Sequence, residues 1–269
     1  MRRQSGRVVQ PRALKCAAQW RSRDVILGGL LAVNRPPPPS QPPARTGQRP
    51  LWKAEAFRYI RFVPQLLLAT NNPGKLAELR RLLQGCGWEL VSPHDLGLDL
   101  PDDEPAHTYE ENAKIKALNG ARASGLVTLA DDSGLEIDAL DGAPGARSAR
   151  FLGEGAGFEE RFADILGRLS GLPSERRWAR FRCVIAVAEP GPEAVRLFEG
   201  DVQGLIALEP RGELGFGYDP IFYLPQRART MAELPPHVKD VISHRGRAAM
   251  HARPLLKELL YERRRNPHP

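Results

Sequence analysis

A chain of 269 residues with a formal charge of +7 and three cysteines holds one or two domains and at first suggests a nucleic-acid partner. The charge is uneven, however: residues 1–62 carry 13 Lys/Arg against Asp24 and Glu55, which leaves the other 207 residues at −4 and excludes a generally basic body. Cys16, Cys86 and Cys183 form no C-x-x-C and lie near no His cluster, which excludes a disulfide framework or zinc site and points to a reducing, cytoplasmic setting; the longest apolar run, 25–33, is too short to span a bilayer.

Residues 1–62 are rich in Arg and Pro (Pro36 to Pro39 among them), with too little hydrophobic periodicity to build a core. A transit-like targeting segment, a secretory signal and an extension without a structural role all fit this composition. The signal reading is weakened by Asn34-Arg35-Pro36, which stands where a small-residue cleavage pattern is needed. The functional chain is expected to begin near Val63, giving a basic extension over 1–62 and one catalytic domain over 63–269.

The stretch from Leu66 to Leu79 begins as an apolar strand, turns at Thr70-Asn71-Asn72, and opens at Gly74-Lys75 into helical spacing. A strand, tight turn and helix in that order leave backbone N–H groups free to meet an anion, and Lys75 adds a full charge. The leading glycine and trailing Ser/Thr of a Walker loop are missing. An anion site and an ordinary turn with a solvated lysine stand about even here.

Downstream, Trp88 to Val91 reads as a short strand, followed by an acidic loop with Asp102, Asp103 and Glu104. Thr108 to Glu111 has the form of a capping box, with a helix running to Gly125. Val127 to Ala130 is a strand expected to end in Asp131-Asp132-Ser133-Gly134, with extended structure resuming from Leu135 to Leu140. A helix is expected over 158–169 and long strands over 179–188 and 196–208. A loop over Gly215 to Pro220 leads into the short apolar Ile221-Phe222-Tyr223. The end, from Ser243 to Arg264, reads as helix, kinked or split at Pro254. The class is α/β, with some neighbouring strands antiparallel.

Four groups in this frame can carry chemistry. Asp131-Asp132 sits at a strand end, where ligands bind in open α/β sheets. Alternation sends one carboxylate to each side, so one can face the cleft while the other is structural. With the Asp102–Glu104 loop it offers hard oxygens suited to Mg²⁺, although Asp-Asp-Ser-Gly is also good turn chemistry. Lys116 could project into the same cleft or be merely solvated. Phe216, between two glycines, can stack on a base or fold onto the core. Arg245, beside His244 and after the candidate cap Ser243, is poorly placed for a helix dipole and so is expected to be held by an anion or a hydrogen-bonding ligand.

With these residues in order, the chain from 66 to 260 resembles the non-canonical purine nucleoside triphosphate pyrophosphatases, the inosine/xanthosine triphosphatase family. The likeness rests on Ala69 to Lys75, Glu111-Asn112-Ala113 with Lys116, Ala130 to Leu135, Gly142 to Gly145, Ser148-Ala149-Arg150, Gly215 to Phe222, and Ile242 to Gly246. It implies an elongated mixed central sheet with flanking helices in two lobes around a cleft, a homodimer, and Mg²⁺ dependence. The implied reaction is hydrolysis of ITP, dITP and XTP to the monophosphate and pyrophosphate.

Carried over by position, Thr70, Asn71, Asn72, Pro73, Gly74 and Lys75 bind the triphosphate. Asp132 activates water and touches the metal, with Glu104 as a second carboxylate on that side. Lys116, Ser133, Phe216, Gly217, Tyr218, Asp219, Lys239, His244 and Arg245 complete the nucleotide site. No membrane or nucleic-acid partner is expected. Three other functions compete: a Maf-like pyrophosphatase for other modified or pyrimidine nucleotides, a non-catalytic nucleotide sensor, and nucleic-acid binding through the basic leader.

Overall fold

Alternation along the strands decides what each face of the sheet covers. In the computed structural model, which describes residues 63–101, 106–153, 155–191 and 194–266, β1 (Gln65–Leu68) leads through the Asn72 turn into α1 (Pro73–Leu82). β2 (Glu89–Val91), α2 (Tyr109–Ser124), β3 (Val127–Ile137), α3 (Phe158–Arg168), β4 (Trp178–Ala188) and β5 (Val195–Ile206) follow. The chain continues with β6 (Phe222–Leu224), β7 (Arg229–Thr230), α4 (Pro236–Ile242) and α5 (His244–Arg265). The seven strands form one mixed sheet in the order β2-β1-β3-β4-β5-β6-β7, parallel through β2, β1 and β3 and antiparallel beyond. The reading for 1–62 lies outside the described residues. Among the described residues no helix is long and apolar enough to cross a membrane.

Leu66, Leu68, Leu129, Ile185 and Val187 face α1 and α5, while Leu67, Ala130, Val184, Ala186 and Ala188 face α2. A separate core, built on Leu135, Ile137, Phe181 and Phe222 with α3 against them, fills the other end of the sheet. These cores are the two lobes the resemblance implied. α2 brings Ala113, Ala117 and Ala121, four residues apart, to one buried stripe. Small residues are required there, since a Cβ on Gly120 would stand 2.7 Å from Thr128 Cγ2.

α2 begins and ends where its signals lie: Thr108 accepts from Glu111 N–H at 3.3 Å, and Gly125 closes it with φ +68°. Only that half of the expected box forms among the described residues, and Glu111 stays exposed.

Three expectations are corrected. β3 does not stop at Asp131-Asp132. It runs to Ile137 because β4 pairs with it from Thr128–Ala188 through to Ile137–Ala179. β1 ends at Leu68, beside Leu129, so the aspartates sit just past the parallel strand's end but inside the antiparallel ladder. The glycine of Asp-Asp-Ser-Gly therefore serves packing rather than a turn. A Cβ on Gly134 would lie 2.2 Å from the Gly145 carbonyl oxygen and 2.6 Å from Ser148 Oγ. Gly134→Ala is expected to lower the unfolding free energy by about 1–3 kcal/mol, read as a lower urea midpoint at unchanged slope.

The third correction concerns Pro254, which does not split α5. Proline is exposed there, and the carbonyl it deprives of a partner belongs to Met250, itself open to water, which can take the bond. β7 and α4 carry no sequence signal strong enough to predict, being two and seven residues long.

Candidate active site

Asp131 and Asp132 are both buried, and alternation sends them to opposite faces, as expected. Asp132 faces α2, where Lys116 Nζ lies 3.1 Å from Oδ1 and Asn112 Nδ2 donates to Oδ2 at 3.3 Å. Asn112 and Lys116 stand one helical turn apart, so the same stripe of α2 holds both. Asn112 also accepts from Ala106 N–H at 3.0 Å, tying the end of the acidic loop to the same point. Sequence reasoning passed over Asn112 as a site residue, although its i, i+4 relation to Lys116 was visible. Lys116, Thr70 and Asn71 together line a hollow beside the end of β1. Glu104 lies outside the described residues.

Asp131 faces the other way, into a buried cluster of charges. Arg245 reaches Asp131 Oδ2 through Nε (3.1 Å) and Nη2 (2.9 Å), and Glu78 Oε2 through Nη1 (2.5 Å). Glu78 Oε1 lies 2.6 Å from Lys239 Nζ, which also pairs with Asp219. Lys75 Nζ stands 3.4 Å from both the carbonyl oxygen and Oδ2 of Asp131. Three cations thus meet three carboxylates. Burial alone would raise Asp131, but Arg245 and then Lys75 outweigh it and hold it well below the usual carboxylate range. Glu78 is lowered in the same way by Arg245 and Lys239, against its burial. For Asp219 burial prevails over Lys239, and its pKa is raised.

Two expectations about free donors change here. The first N–H groups of α1 are not open to an anion, because Asn72 Oδ1 accepts from Gly74 N (2.9 Å) and Lys75 N (3.1 Å), while Pro73 has none to offer. Thr70 Oγ1 accepts from Asn72 N–H and Asn71 donates to the Leu100 carbonyl, so this turn is internally tied. Arg245 is held by Glu78, Asp131 and Ser133 Oγ (2.8 Å), all internal partners, not by an external ligand. Sequence reading had no sign of Glu78, which looks like any helical glutamate until α4 and α5 close over it.

Above this cluster lies a cavity of about 90 Å³ walled by Asn72, Lys75, Ser133, Phe216, Gly217, Tyr218, Asp219, Lys239, His244 and Arg245, all named from sequence. Phe158, Phe181 and Ser148 also line it and were not assigned to the site from sequence. The Phe216 ring lies on the start of α1: a Cβ on Gly74 would be 2.6 Å from its Cγ and Cδ1. Lys239 Nζ and Arg245 Cζ stand 4.9 and 5.5 Å from the ring centroid, a cation–π arrangement. Phe216 N–H donates to Asp219 Oδ2 at 2.9 Å, which pins the loop.

His244 is 5 % exposed and stacks on Phe181 with centroids 4.7 Å apart and 15° between planes. Burial, then Arg245 and Lys239, push its pKa well below 6.5, so the ring is neutral at physiological pH. Its Nδ1 is buried with no hydrogen-bond partner among the described residues. A buried nitrogen left without a partner costs about 1–3 kcal/mol.

Among the described residues no group of three or more His, Cys, Asp or Glu could hold an ion. Among the described residues Asp132 is the carboxylate shown on Lys116, a donor that suits Mg²⁺ arriving with a polyphosphate and its waters rather than an ion caged by protein.

The Ham1 family model matches residues 66–255. A dITP/XTP pyrophosphatase of Desulforamulus reducens is 48 % identical over 195 residues, covering 72 % of this chain and 96 % of that protein. A dITP/XTP pyrophosphatase of Bacillus subtilis is 46 % identical over 184 residues, covering 68 % and 92 % respectively. Among solved structures, a HAM1 protein from Coxiella burnetii superposes with a TM-score of 0.66 at 43 % identity, covering 72 % of this chain and 99 % of that one.

Proposed function

The chain belongs to the Ham1 family, and on that premise we propose that it hydrolyses the non-canonical purine triphosphates dITP, ITP and XTP to the monophosphate and pyrophosphate. The observation that carries this reading is the juxtaposition of two sites across β3: an aromatic cavity with an unsatisfied, neutral His244, and a buried carboxylate, Asp132, gripped by Lys116 and Asn112.

In the proposed mechanism Asp132 takes a proton from water, whose oxygen attacks the α-phosphorus. The bond from that phosphorus to the α,β-bridging oxygen breaks and pyrophosphate departs. Lys116 and Asn112 keep the carboxylate in one orientation, which limits the geometric search. Lys75 and Lys116 supply positive charge beside the phosphates. Thr70, Asn71 and Asn72 offer short polar contacts along the same path. Mg²⁺ would be held by Asp132, Glu104 and the substrate's own phosphates, and when bound it neutralises charge building on the phosphoryl oxygens.

Selectivity follows from the purine edge. Inosine and xanthosine present an acceptor at position 6, and adenine presents a donor there. In the tautomer that carries its proton on Nδ1, a neutral His244 would donate to O6 and satisfy that nitrogen. Against that tautomer adenine's amino group sets donor against donor, at about 1–3 kcal/mol for each unmatched buried group. Arg245 has four of its five N–H groups engaged internally, so it positions His244 and Phe216 and offers at most one donor. A homodimeric, cytoplasmic enzyme with residues 63–269 as the catalytic domain completes the proposal.

The test is pyrophosphate release from a panel of ITP, dITP, XTP, ATP, GTP and TTP, with Mg²⁺ and with chelator. Turnover of the first three well above the others, lost on chelation, is the expected result. A pyrimidine preference would overturn the reading in favour of the Maf-like alternative.

A further inference from the structure

Purine sites use aromatic walls because every base offers a π-face to a ring or to its edge. Four rings line the cavity above the charge cluster: Phe158, Phe181, Phe216 and Tyr218. Three are committed elsewhere. Phe181 stacks on His244 and lies 4.4 Å from Phe222, Phe216 rests on Gly74 and the two cations, and Tyr218 is buried with its hydroxyl donating to Ser148 O at 2.9 Å.

Phe158 is different. It opens α3 and is 42 % exposed, although it is as large as the phenylalanines of the core. One exposed phenylalanine is ordinary on a protein surface. What sets this one apart is how firmly it is held. The Tyr218 ring meets it in a T-shaped contact at 5.4 Å, and Phe162 lies at 6.1 Å. The Arg161 guanidinium stands 5.1 Å from its ring centroid. Arg161 is itself only 4 % exposed and is anchored by the carbonyls of Ser148 (3.5 Å) and Gly153 (3.4 Å). A Cβ on Gly217 would lie 3.9 Å from Phe158 Cε1 and Cζ, so the ring abuts the loop that carries Phe216.

An apolar ring fixed by three partners on the rim of a cavity has lost its rotamer freedom before any ligand arrives, and it therefore binds at low entropic cost. We infer that Phe158 is a base-contacting residue: its exposed surface forms the solvent-side wall of the purine slot and covers the base of the bound nucleotide. Arg161 acts as a positioning residue for that wall. This assignment rests on the cavity being the base site proposed above.

The experiment compares wild type, Phe158→Ala and Phe158→Tyr. Steady-state kinetics with ITP are combined with calorimetric titration of inosine monophosphate, and with inhibition by inorganic tripolyphosphate, which has no base. Phe158→Ala is expected to raise the KM for ITP and the Kd for the monophosphate roughly 5- to 100-fold. Its kcat should stay within about threefold and its tripolyphosphate inhibition should not change, because the lost contact is to the base. Phe158→Tyr, which keeps the ring, should restore both constants. A monophosphate Kd for the alanine variant within about twofold of wild type, or an equal weakening of tripolyphosphate, overturns the assignment of Phe158 alone. Failure of wild type itself to bind the monophosphate or to turn over ITP overturns the base site, and this assignment with it.

Discussion

Asp132→Asn is expected to lower kcat by about 10²- to 10⁴-fold while leaving nucleotide affinity within a few-fold of wild type. The amide keeps the shape of the carboxylate and its one oxygen can still accept from Lys116 or from Asn112, but it cannot accept a proton from water. Stopped-assay pyrophosphate release under saturating ITP measures the first quantity, and titration with inosine monophosphate the second. Pyrophosphate release at the normal rate from the asparagine protein would remove Asp132 from the chemistry and favour the sensor reading. A parallel loss of binding and turnover would instead make Asp132 a structural or phosphate-site residue.

Arg245→Met should be the most destabilising single change in the site, at about 3–5 kcal/mol. It leaves Asp131 and Glu78 in a dry interior with one of their counter-charges gone. Thermal unfolding at neutral pH checks the size, and its pH dependence checks the cause. In wild type both carboxylates have folded-state pKa values depressed below the ordinary 3.8 and 4.5. The stability they contribute is therefore complete above those ordinary values, and it is lost as pH falls below them toward the folded-state values. Wild-type Tm should drop as pH descends through this window. In the methionine variant the acids are no longer held down, so the slope should flatten. An unchanged Tm at neutral pH would mean that the cluster is dispensable to folding.

Local signals made much of this protein legible. Thr108 and Gly125 bracket α2 because caps act over three or four residues, a range a sequence displays directly. β1, β4 and β5 were visible as apolar or alternating runs, and their observed bounds differ from expectation by one or two residues. Site residues that recur as short motifs converge on one region, from Lys75 to Arg245. What stayed hidden depends on distant partners. Asp-Asp-Ser-Gly has turn composition, and only the β4 ladder makes it strand. Nothing local told that the Asn72 oxygen is turned back onto its own helix. The recognition of Arg245 as a cluster member requires Glu78, which lies 167 residues away. Phe158 passed as the start of an amphipathic helix, since periodicity reports the buried face and says nothing of a ring left at the rim.

The two adjacent aspartates of β3 carry a consequence for how this enzyme can change. One anchors the charge cluster and the other stands beside Lys116 and Asn112, and nothing but the pleat tells them apart. Loss or gain of one amino acid upstream of them, with the ladder to β4 otherwise kept, would exchange their sides and present the wrong acid to each environment. Loops elsewhere are free to lengthen or shorten over evolutionary time. This strand has a reading frame, and an insertion within it would erase foundation and chemistry together.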